Sequence, residues 1–131
     1  MVTASVEVVR GVYAGFLRGD IPGVLRLLAD DVLWSVPGSA QVPHAGLRRG
    51  PGEVGQFFAA VGGGLDVQQF EPREFFDAGE SVFVLGRARV RAKSTGRGYE
   101  TEWLHHWKVR DGKITHFREY DDTAAVNAAF A

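Results

Sequence analysis

Two ionisable side chains on neighbouring predicted strands are the best candidates for chemistry. His105 lies in an extended run over residues 99–110, and Glu119 lies in the next run, residues 113–120. A carboxylate in an apolar, partly dry pocket has a raised pKa and can accept a proton near neutrality. An imidazole across the pocket could then stabilise an enolate. The alternative is that the two groups only hydrogen-bond each other to satisfy polarity inside a core.

Aromatic residues accompany this pair. Successive side chains of a strand point to opposite faces, so His105 shares a face with Trp103 and Trp107. Aromatic rings suit a flat ligand, although about half of such residues normally belong to the core. His44, between Pro43 and Gly46, could reach the pocket mouth or be an ordinary loop histidine. The candidate substrate-binding residues are Tyr13, Trp34, His44, Phe57, Phe58, Trp103, Trp107 and Phe117.

The sequence predicts neither a metal site nor an organic cofactor. The four histidines include no helical i, i+4 pair, and the consecutive His105 and His106 point to opposite strand faces. Residues 50–55 fit G-x-G-x-x-G, but no strand precedes them and Glu53 places negative charge at the helix start. The absence of cysteine excludes disulfides, thiolate zinc sites and a cysteine nucleophile.

Composition predicts one globular domain over residues 1–131. The chain is 45% hydrophobic and 24% charged, which allows a real core. A net charge of -1 gives no reason to bind nucleic acid or an anionic membrane, so a small apolar molecule is the expected partner. Glu7 and Arg10 interrupt the apolar residues near the N-terminus, which predicts neither a signal peptide nor a membrane span. We expect a cytoplasmic protein, with which the lack of cysteine is compatible.

Three helices are predicted before the main sheet. Apolar residues from Val6 to Leu17 recur at helical spacing before Gly19. Asp20 can cap a second helix whose apolar stripe extends to Leu28. A strand over residues 32–36 and a loop to Gly50 follow. Pro51 opens a third helix, and the glycines at 62–64 are predicted to end it because glycine is a poor helix former.

Four extended runs follow, at residues 67–76, 81–93, 99–110 and 113–120, with short turns between them. Pro72 inside the first run indicates a bulge or an edge strand. In the last run, alternation groups Thr115 with Phe117 and Glu119. Residues 123–130 could form a terminal helix capped by Asp122. Helices first and long strands afterwards predict an α+β fold with helices packed on one sheet face.

The segments "LADDVLWSVPG", "VPHAGLRRG" and "VRDGKITHFREYDDTAAV" carry a family resemblance over essentially the whole chain. In their order and spacing, the sequence resembles the SnoaL-like and ketosteroid-isomerase-like branch of the nuclear transport factor 2-like superfamily. The resemblance implies a cone-like, curved antiparallel (mixed) sheet wrapped around three N-terminal helices, with an internal apolar pocket. It also implies that Glu119 faces inward and that the outer sheet face forms a homodimer.

Individual positions separate the activities known in this superfamily. Compared with the ketosteroid isomerases, His105 replaces an aspartic acid that donates to the oxyanion, Val36 replaces the base, and Tyr13 lies one residue from a matching tyrosine. Compared with the limonene epoxide hydrolases, Gly86 and Ala88 replace an arginine and an aspartate. The polyketide cyclases resemble this chain in having a histidine and an acid on neighbouring strands.

These comparisons favour a cofactor-independent SnoaL-like enzyme that moves a proton on a small apolar carbonyl compound, as isomerases and cyclases do. Glu119 would be the base and His105 the electrophilic partner. The alternative is a non-catalytic domain that binds a small ligand or associates as a dimer. Epoxide hydrolysis is less favoured. A dimer would use the face that carries Phe83, Leu85 and Leu104, whereas a solvated row of arginines is the competing interpretation of that face.

Overall fold

A computed structural model describes residues 3–131 and shows the predicted α+β class. Six strands form one curved, open sheet in the order β2-β1-β6-β5-β4-β3. β1 and β6 run parallel and every other neighbouring pair is antiparallel, so the sheet is mixed. The elements are α1 (Ala4–Leu17), α2 (Ile21–Leu25), β1 (Leu28–Val36), β2 (Gly46–Arg49), α3 (Gly50–Gly64), β3 (Leu65–Ala78), β4 (Ser81–Ala92), β5 (Gly98–Arg110), β6 (Lys113–Tyr120) and α4 (Thr123–Phe130).

The first two helices begin at side-chain caps, as their sequences allow. The Thr3 hydroxyl accepts from the backbone N–H of Val6, and the Asp20 carboxylate accepts from that of Gly23 at 2.9 Å. Two details of the prediction were wrong. Leu17 is 59% exposed and does not join the buried stripe of α1. The second helix ends at Leu25, and Leu28 is already the first residue of β1.

The glycine run 62–64 does not end α3 where the sequence predicted, because the helix continues through Gly64. Lys93, just after β4, supports this last turn. Its backbone N–H donates to the carbonyl of Gly64 at 3.0 Å, and its ammonium donates to the carbonyl of Gly62 at 2.8 Å. The helix ends because Leu65 takes an extended conformation and begins β3. Tertiary hydrogen bonds thus override the low helix propensity of glycine.

Replacing both Gly62 and Gly63 with alanine is expected to stabilise the protein. A Cβ atom at either position would meet no atom within 4 Å, and alanine has the higher helix propensity. We expect the free energy of unfolding to rise by about 1 to 2 kcal/mol for the double variant, measured by urea unfolding. Gly64→Ala is the matched control: its Cβ would lie 2.8 Å from Cγ of Pro43, so no gain is expected. A double variant no more stable than the wild type would contradict this account.

The strands differ from the prediction at three places. β2, which pairs antiparallel with β1, lies in the predicted loop. β1 begins at Leu28 instead of residue 32. In β6 the register with β5 shifts between Lys108 and Val109. That bulge buries Ile114, and Thr115 is only half-buried with its hydroxyl donating to the carbonyl of Lys108 at 3.3 Å.

The remaining strand predictions are confirmed. β3 is an edge strand, and its register with β4 shifts between Pro72 and Glu74, so Pro72 has both predicted properties. Buried and exposed residues alternate along β4 and β5 as expected. The inner faces of these strands, together with α1 and α3, form the apolar core. Among the described residues, no helix is both long enough and apolar enough to cross a membrane.

Candidate active site

One apolar cavity of about 110 Å³ lies between the helices and the inner face of the sheet. Helices α1 and α3 cover it, and strands β1, β3, β4, β5 and β6 contribute side chains to its wall. All ten residues singled out from the sequence line it: Tyr13, Trp34, His44, Phe57, Phe58, Trp103, His105, Trp107, Phe117 and Glu119. The sequence therefore predicted correctly that these side chains lie around one cavity. The catalytic and binding roles assigned to them stay predictions.

A chain of hydrogen bonds connects four of these side chains. The Trp107 indole donates to the Tyr13 hydroxyl at 2.9 Å, and that hydroxyl lies 2.7 Å from Nδ1 of His105. Nε2 of His105 lies 2.8 Å from Oε1 of Glu119. An ionised carboxylate can only accept, so Nε2 carries the proton and Nδ1 accepts from Tyr13. When the imidazole is neutral, every donor in this chain of hydrogen bonds has an acceptor. Both nitrogens of His105 then have hydrogen-bond partners.

The strand register builds this chain. His105 is directly opposite Glu119 across β5 and β6, and Trp107 is directly opposite Phe117. Trp103 stacks on the His105 ring with 3.8 Å between ring centroids. Tyr13 reaches the imidazole from α1, whose residues Val9 and Val12 are buried beside it. His105 is only 4% exposed, and its imidazole is held by Trp103 on one face and by hydrogen bonds at both nitrogens.

Burial sets the protonation of this chain. Removal from water lowers the pKa of His105, and the hydrogen bond and charge of Glu119 only partly offset this. Burial likewise raises the pKa of Tyr13 well above its usual value. For Glu119 the predicted direction was wrong. Burial alone would raise its pKa, but the hydrogen bond from His105 outweighs burial and lowers the pKa. Glu119 is thus ionised and His105 neutral at pH 7.

The carboxyl group with a raised pKa is Asp121, which was not among the residues singled out from the sequence. Burial, followed by the charge of Glu119 and a hydrogen bond to it, raises the pKa of Asp121 to about 7. Asp121 also lines the cavity, and its buried Oδ1 has no partner within residues 3–131. The signal that could have found it is the alternation of β6 continued past the end of the strand at Tyr120, which would place residue 121 on the same side as residue 119. Near neutrality these two carboxyl groups share one proton.

Replacing Asp121 with asparagine is expected to change how stability depends on pH. An unfolded aspartic acid ionises near pH ~4, whereas the native Asp121 keeps its proton up to about pH 7. Between these values only the unfolded state releases the proton, so this group destabilises the native state as the pH rises. Asparagine cannot ionise. The difference between these two pKa values corresponds to about 4 kcal/mol without screening. Because Asp121 is half-buried, solvent screening reduces this, and we expect the variant to gain about 2 kcal/mol relative to the wild type between pH 4 and pH 8.

The measurement is urea unfolding of both proteins at several pH values. His44 and His105, whose pKa values burial lowers, and the neighbouring Glu119 and Asp122 face the same region. The titration of His44 and His105 is largely common to both proteins and cancels in the difference, whereas Glu119 shares a proton with Asp121, so its response belongs to the measured effect. A difference between the two proteins that stays constant from pH 4 to pH 8 would show that Asp121 ionises normally.

His44 lies inside the cavity wall and not on an exposed loop. It is 6% exposed, its ring packs near Phe57 and Phe130, and its Nδ1 has no partner in the described part of the chain. Burial lowers its pKa, so it is neutral at pH 7.

Sequence reasoning also missed Phe70, which stacks on Trp103 with 5.1 Å between ring centroids. Its strand carries no periodic signal because Pro72 interrupts the alternation.

Residues 3–131 contain no group of three or more histidine, aspartate or glutamate side chains arranged to hold a metal ion. The cavity wall is mostly aromatic and aliphatic, with its polar groups concentrated at His105, Glu119, Asp121 and His44. This arrangement can bind an apolar molecule and exchange a proton with it.

Known proteins resemble the chain in sequence and in fold. The SnoaL-like domain family matches residues 9–117. An NTF2-like protein from Burkholderia xenovorans LB400 is 36% identical, with 98% of this chain and 96% of that chain covered and a TM-score of 0.90. An NTF2-like protein of unknown function from Burkholderia pseudomallei K96243 is 31% identical, with 99% of both chains covered and a TM-score of 0.87. TerC, co-crystallised with polyporic acid, is 30% identical, with 98% of both chains covered and a TM-score of 0.83. No curated protein matches the chain.

Proposed function

We propose, from the premise that this chain belongs to the SnoaL-like domain family, that it is a cofactor-independent enzyme that moves a proton on a small apolar carbonyl compound. One observation carries the proposal: an ionised carboxylate, oriented by a buried imidazole, lines an apolar cavity beside a second carboxyl group that holds a proton. The TerC structure supports a small-molecule ligand, since that relative was crystallised with one.

Glu119 is the base in this proposal. Its Oε1 accepts from His105, which leaves Oε2 to take a proton from the carbon next to a carbonyl group. The C–H electron pair moves into the carbonyl to give an enolate. His105 orients the carboxylate and keeps it ionised. An electrophilic role for His105 would require the substrate oxygen to displace Tyr13 or Glu119 from the ring, because both nitrogens already have partners.

Asp121 is the proton donor that completes the cycle. Its carboxyl group, whose pKa is raised to about 7, still holds a proton in about half of the molecules at neutral pH. When the substrate is a β,γ-unsaturated carbonyl compound, the enolate is a dienolate, and Asp121 can deliver that proton to its γ-carbon, which restores the carbonyl and shifts the double bond. The proton taken up by Glu119 then returns to Asp121, and the pair is reset with one proton. The same two residues also line a second, more polar pocket, through which the pair can exchange its proton with solvent.

Solvent deuterium exchange tests this proposal. The protein is incubated in D2O with a panel of small cyclic ketones, and loss of the α-proton signals is followed by NMR against a protein-free sample. Catalysed exchange of a bound ketone is expected. If ketones bind in the cavity and their α-protons exchange only at the protein-free rate, the chain is the non-catalytic binding domain instead.

We also propose that the outer face of the sheet forms a homodimer. Phe76, Leu85 and Tyr120 are 49%, 38% and 45% exposed, and they lie on one face with Phe83. Two of the arginines beside this patch pair within the chain: Arg87 lies 2.9 Å from Glu100, and Arg91 lies 3.1 Å from Asp66. An apolar surface bordered by paired charges suits contact with a second copy better than a row of free arginines does.

Leu85→Lys is expected to weaken this dimer about 100-fold, since burying an uncompensated charge at the centre of an interface costs several kcal/mol. Light scattering coupled to size-exclusion chromatography over a concentration series measures the dissociation. Leu17→Lys is the matched control, because Leu17 is 59% exposed but lies at the end of α1, away from the sheet face. A wild-type protein that stays monomeric at all concentrations, or equal dissociation of both variants, would contradict the proposed interface.

A further inference from the structure

The hydrogen-bond chain that ends at Glu119 begins at a group that can only donate. An indole N–H carries no acceptor, so Trp107 donates to the Tyr13 hydroxyl, and the two heavy atoms are 2.9 Å apart. The hydroxyl oxygen accepts this bond, which leaves the phenolic proton for another partner. Nδ1 of His105 lies 2.7 Å from the hydroxyl oxygen and supplies the acceptor. The indole at one end of the chain therefore sets the direction of the bond from Tyr13 to His105.

The imidazole passes this direction on to the carboxylate. When Nδ1 accepts a hydrogen bond, a neutral imidazole carries its single proton on Nε2. Nε2 of His105 lies 2.8 Å from Oε1 of Glu119, so Oε1 accepts and has no proton of its own. Donor and acceptor properties alone give this arrangement once the imidazole is neutral. Glu119 can then take up a proton only at Oε2.

A reversed chain would leave a buried donor without an acceptor. If Nδ1 of His105 carried a proton, that proton would point at the Tyr13 oxygen, and the phenolic proton would lose its acceptor. Tyr13 is 6% exposed, and its ring centroid lies 5.9 Å from that of Phe75 and 6.0 Å from that of Trp103, so the hydroxyl is kept from turning to solvent. An unpartnered buried donor disfavours such a state by about tenfold to a hundredfold. The disfavoured states are the imidazolium and the neutral ring with its proton on Nδ1.

We infer that Trp107 and Tyr13 are positioning residues for the proposed base: acting through His105, they make the imidazole a donor to Oε1 of Glu119 and so reserve Oε2 for the substrate proton. The inference rests on the proposed function, because it concerns the base of that reaction. It changes the part expected of the two residues. Both line the cavity, but the indole N–H and the phenolic O–H serve the hydrogen-bond chain and not the ligand.

Tyr13→Phe is expected to weaken this control. Phenylalanine keeps an aromatic ring in place but leaves Nδ1 of His105 without a donor, so the form with its proton on Nε2 now has an unpartnered group as well. The reversed forms are then less disfavoured by comparison. We expect the pair of His105 and Glu119 to take up an additional proton about tenfold more readily, which is about one pH unit higher than in the wild type. In either reversed form Glu119 is a weaker base.

The remaining titratable groups of the cavity wall are the same in both proteins. Glu119 reaches His105 from β6, and Tyr13 reaches it from α1. Helix α3 and strands β3 and β4 contribute apolar side chains to the wall. The titratable groups of the wall are Tyr13, His44, Tyr99, His105, Glu119 and Asp121. Because only Tyr13 differs, a shift in titration between the two proteins reports on its bond to His105.

NMR of the intact protein labelled with ¹⁵N-histidine tests the direction of the chain. Long-range ¹H–¹⁵N spectra distinguish a protonated ring nitrogen from one that accepts a hydrogen bond. In the wild type at pH 7 we expect a neutral His105 with its proton on Nε2, and in Tyr13→Phe we expect the pH midpoint of the change at His105 to move up by about one unit. Tyr120→Phe is the matched control on the outer sheet face, where Tyr120 is 45% exposed, and it should leave the His105 signals unchanged. If Tyr13→Phe fails to fold, the wild-type spectrum decides alone.

The pH profile of α-proton exchange separates positioning from a packing defect. Cyclopentanone in D2O is the probe. On the acidic side of the profile Tyr13→Phe should lower kcat about tenfold and leave KM within about twofold, and at higher pH it should match the wild type because the pair then holds no additional proton. A packing defect would lower the rate by the same factor at every pH.

The outcomes distinguish this inference from the proposed function. A wild-type His105 that carries its proton on Nδ1, or that is charged at pH 7, would overturn the inference. A Tyr13→Phe variant whose exchange rate equals that of the wild type at every pH, or falls equally at every pH, would remove the positioning role and leave the proposed catalysis in place. If the NMR results are as expected and neither protein catalyses exchange, the direction of the chain stands and the proposed catalysis falls.

Discussion

Glu119→Gln is expected to lower the rate of catalysed α-proton exchange by about 10²- to 10⁴-fold, the usual contribution of a general base. Glutamine has nearly the same shape, and its amide oxygen can still accept from Nε2 of His105, where the carboxylate oxygen now lies at 2.8 Å. It cannot take up a proton. The variant should therefore bind the ketone with similar affinity and lose only the chemical step, which NMR in D2O and calorimetry measure separately.

Glu102→Gln is the matched control for this variant. Glu102 lies on β5, three residues before His105, and its side chain points to the outer face of the sheet. The same chemical change there should leave exchange unaffected. If Glu119→Gln retains exchange within about threefold of the wild type, the base is a different group, and Asp121 becomes the first residue to replace.

Asp121→Asn separates two roles within the same carboxyl pair. If Asp121 returns a proton to the enolate, this variant should still exchange α-protons through Glu119 but should isomerise a suitable enone slowly. If Asp121 only adjusts the charge of Glu119, both rates should change together. The distinction matters because the hydrogen bond from His105 lowers the pKa of Glu119, and only Asp121 has a raised one.

Local sequence patterns were sufficient for most of the fold. The alternation along β4 and β5 and the side-chain caps Asp20 and Asp122 each depend on residues close together in the chain, and the structure confirms them. The family resemblance depends on the order of segments along the whole chain, and the comparisons confirm it. The predictions that failed concern features that depend on contacts between distant parts of the chain. The four-residue β2 is too short for a periodic signal, and the last turn of α3 depends on Lys93, which is distant in sequence.

For the candidate site, too, the sequence predicted some features and missed those that depend on tertiary contacts. Strand alternation and family resemblance identified ten residues that do line one cavity. They could not give the sign of the pKa shift on Glu119, because that sign depends on whether burial or the hydrogen bond from His105 is stronger. Nor could they predict that Tyr13 and Glu119 occupy both nitrogens of His105, which changes the role that the imidazole can take.

Gly86→Ala is expected to destabilise the protein by about 3 kcal/mol, near the upper end for overpacking a core. A Cβ at Gly86 would lie 2.2 Å from Cζ2 of Trp103 and 2.5 Å from the carbonyl oxygen of Glu71. The indole cannot retreat without losing its stacking on His105, and the carbonyl belongs to β3, which is paired along its length with β4. Urea unfolding measures the loss, and Trp103 fluorescence should report the displaced ring.

Gly98→Ala provides the control in the neighbouring strand β5, since a Cβ there would make only an ordinary contact of 3.6 Å with the carbonyl oxygen of Val90. It should be neutral or slightly stabilising. A Gly86→Ala variant as stable as the wild type would mean that the Trp103 ring is free to move. The cavity could then expand beyond the volume it has in this structure. If the destabilisation is found, Gly86 is fixed by the indole above it. A larger side chain at this position would then require the cavity wall around Trp103 to be rebuilt.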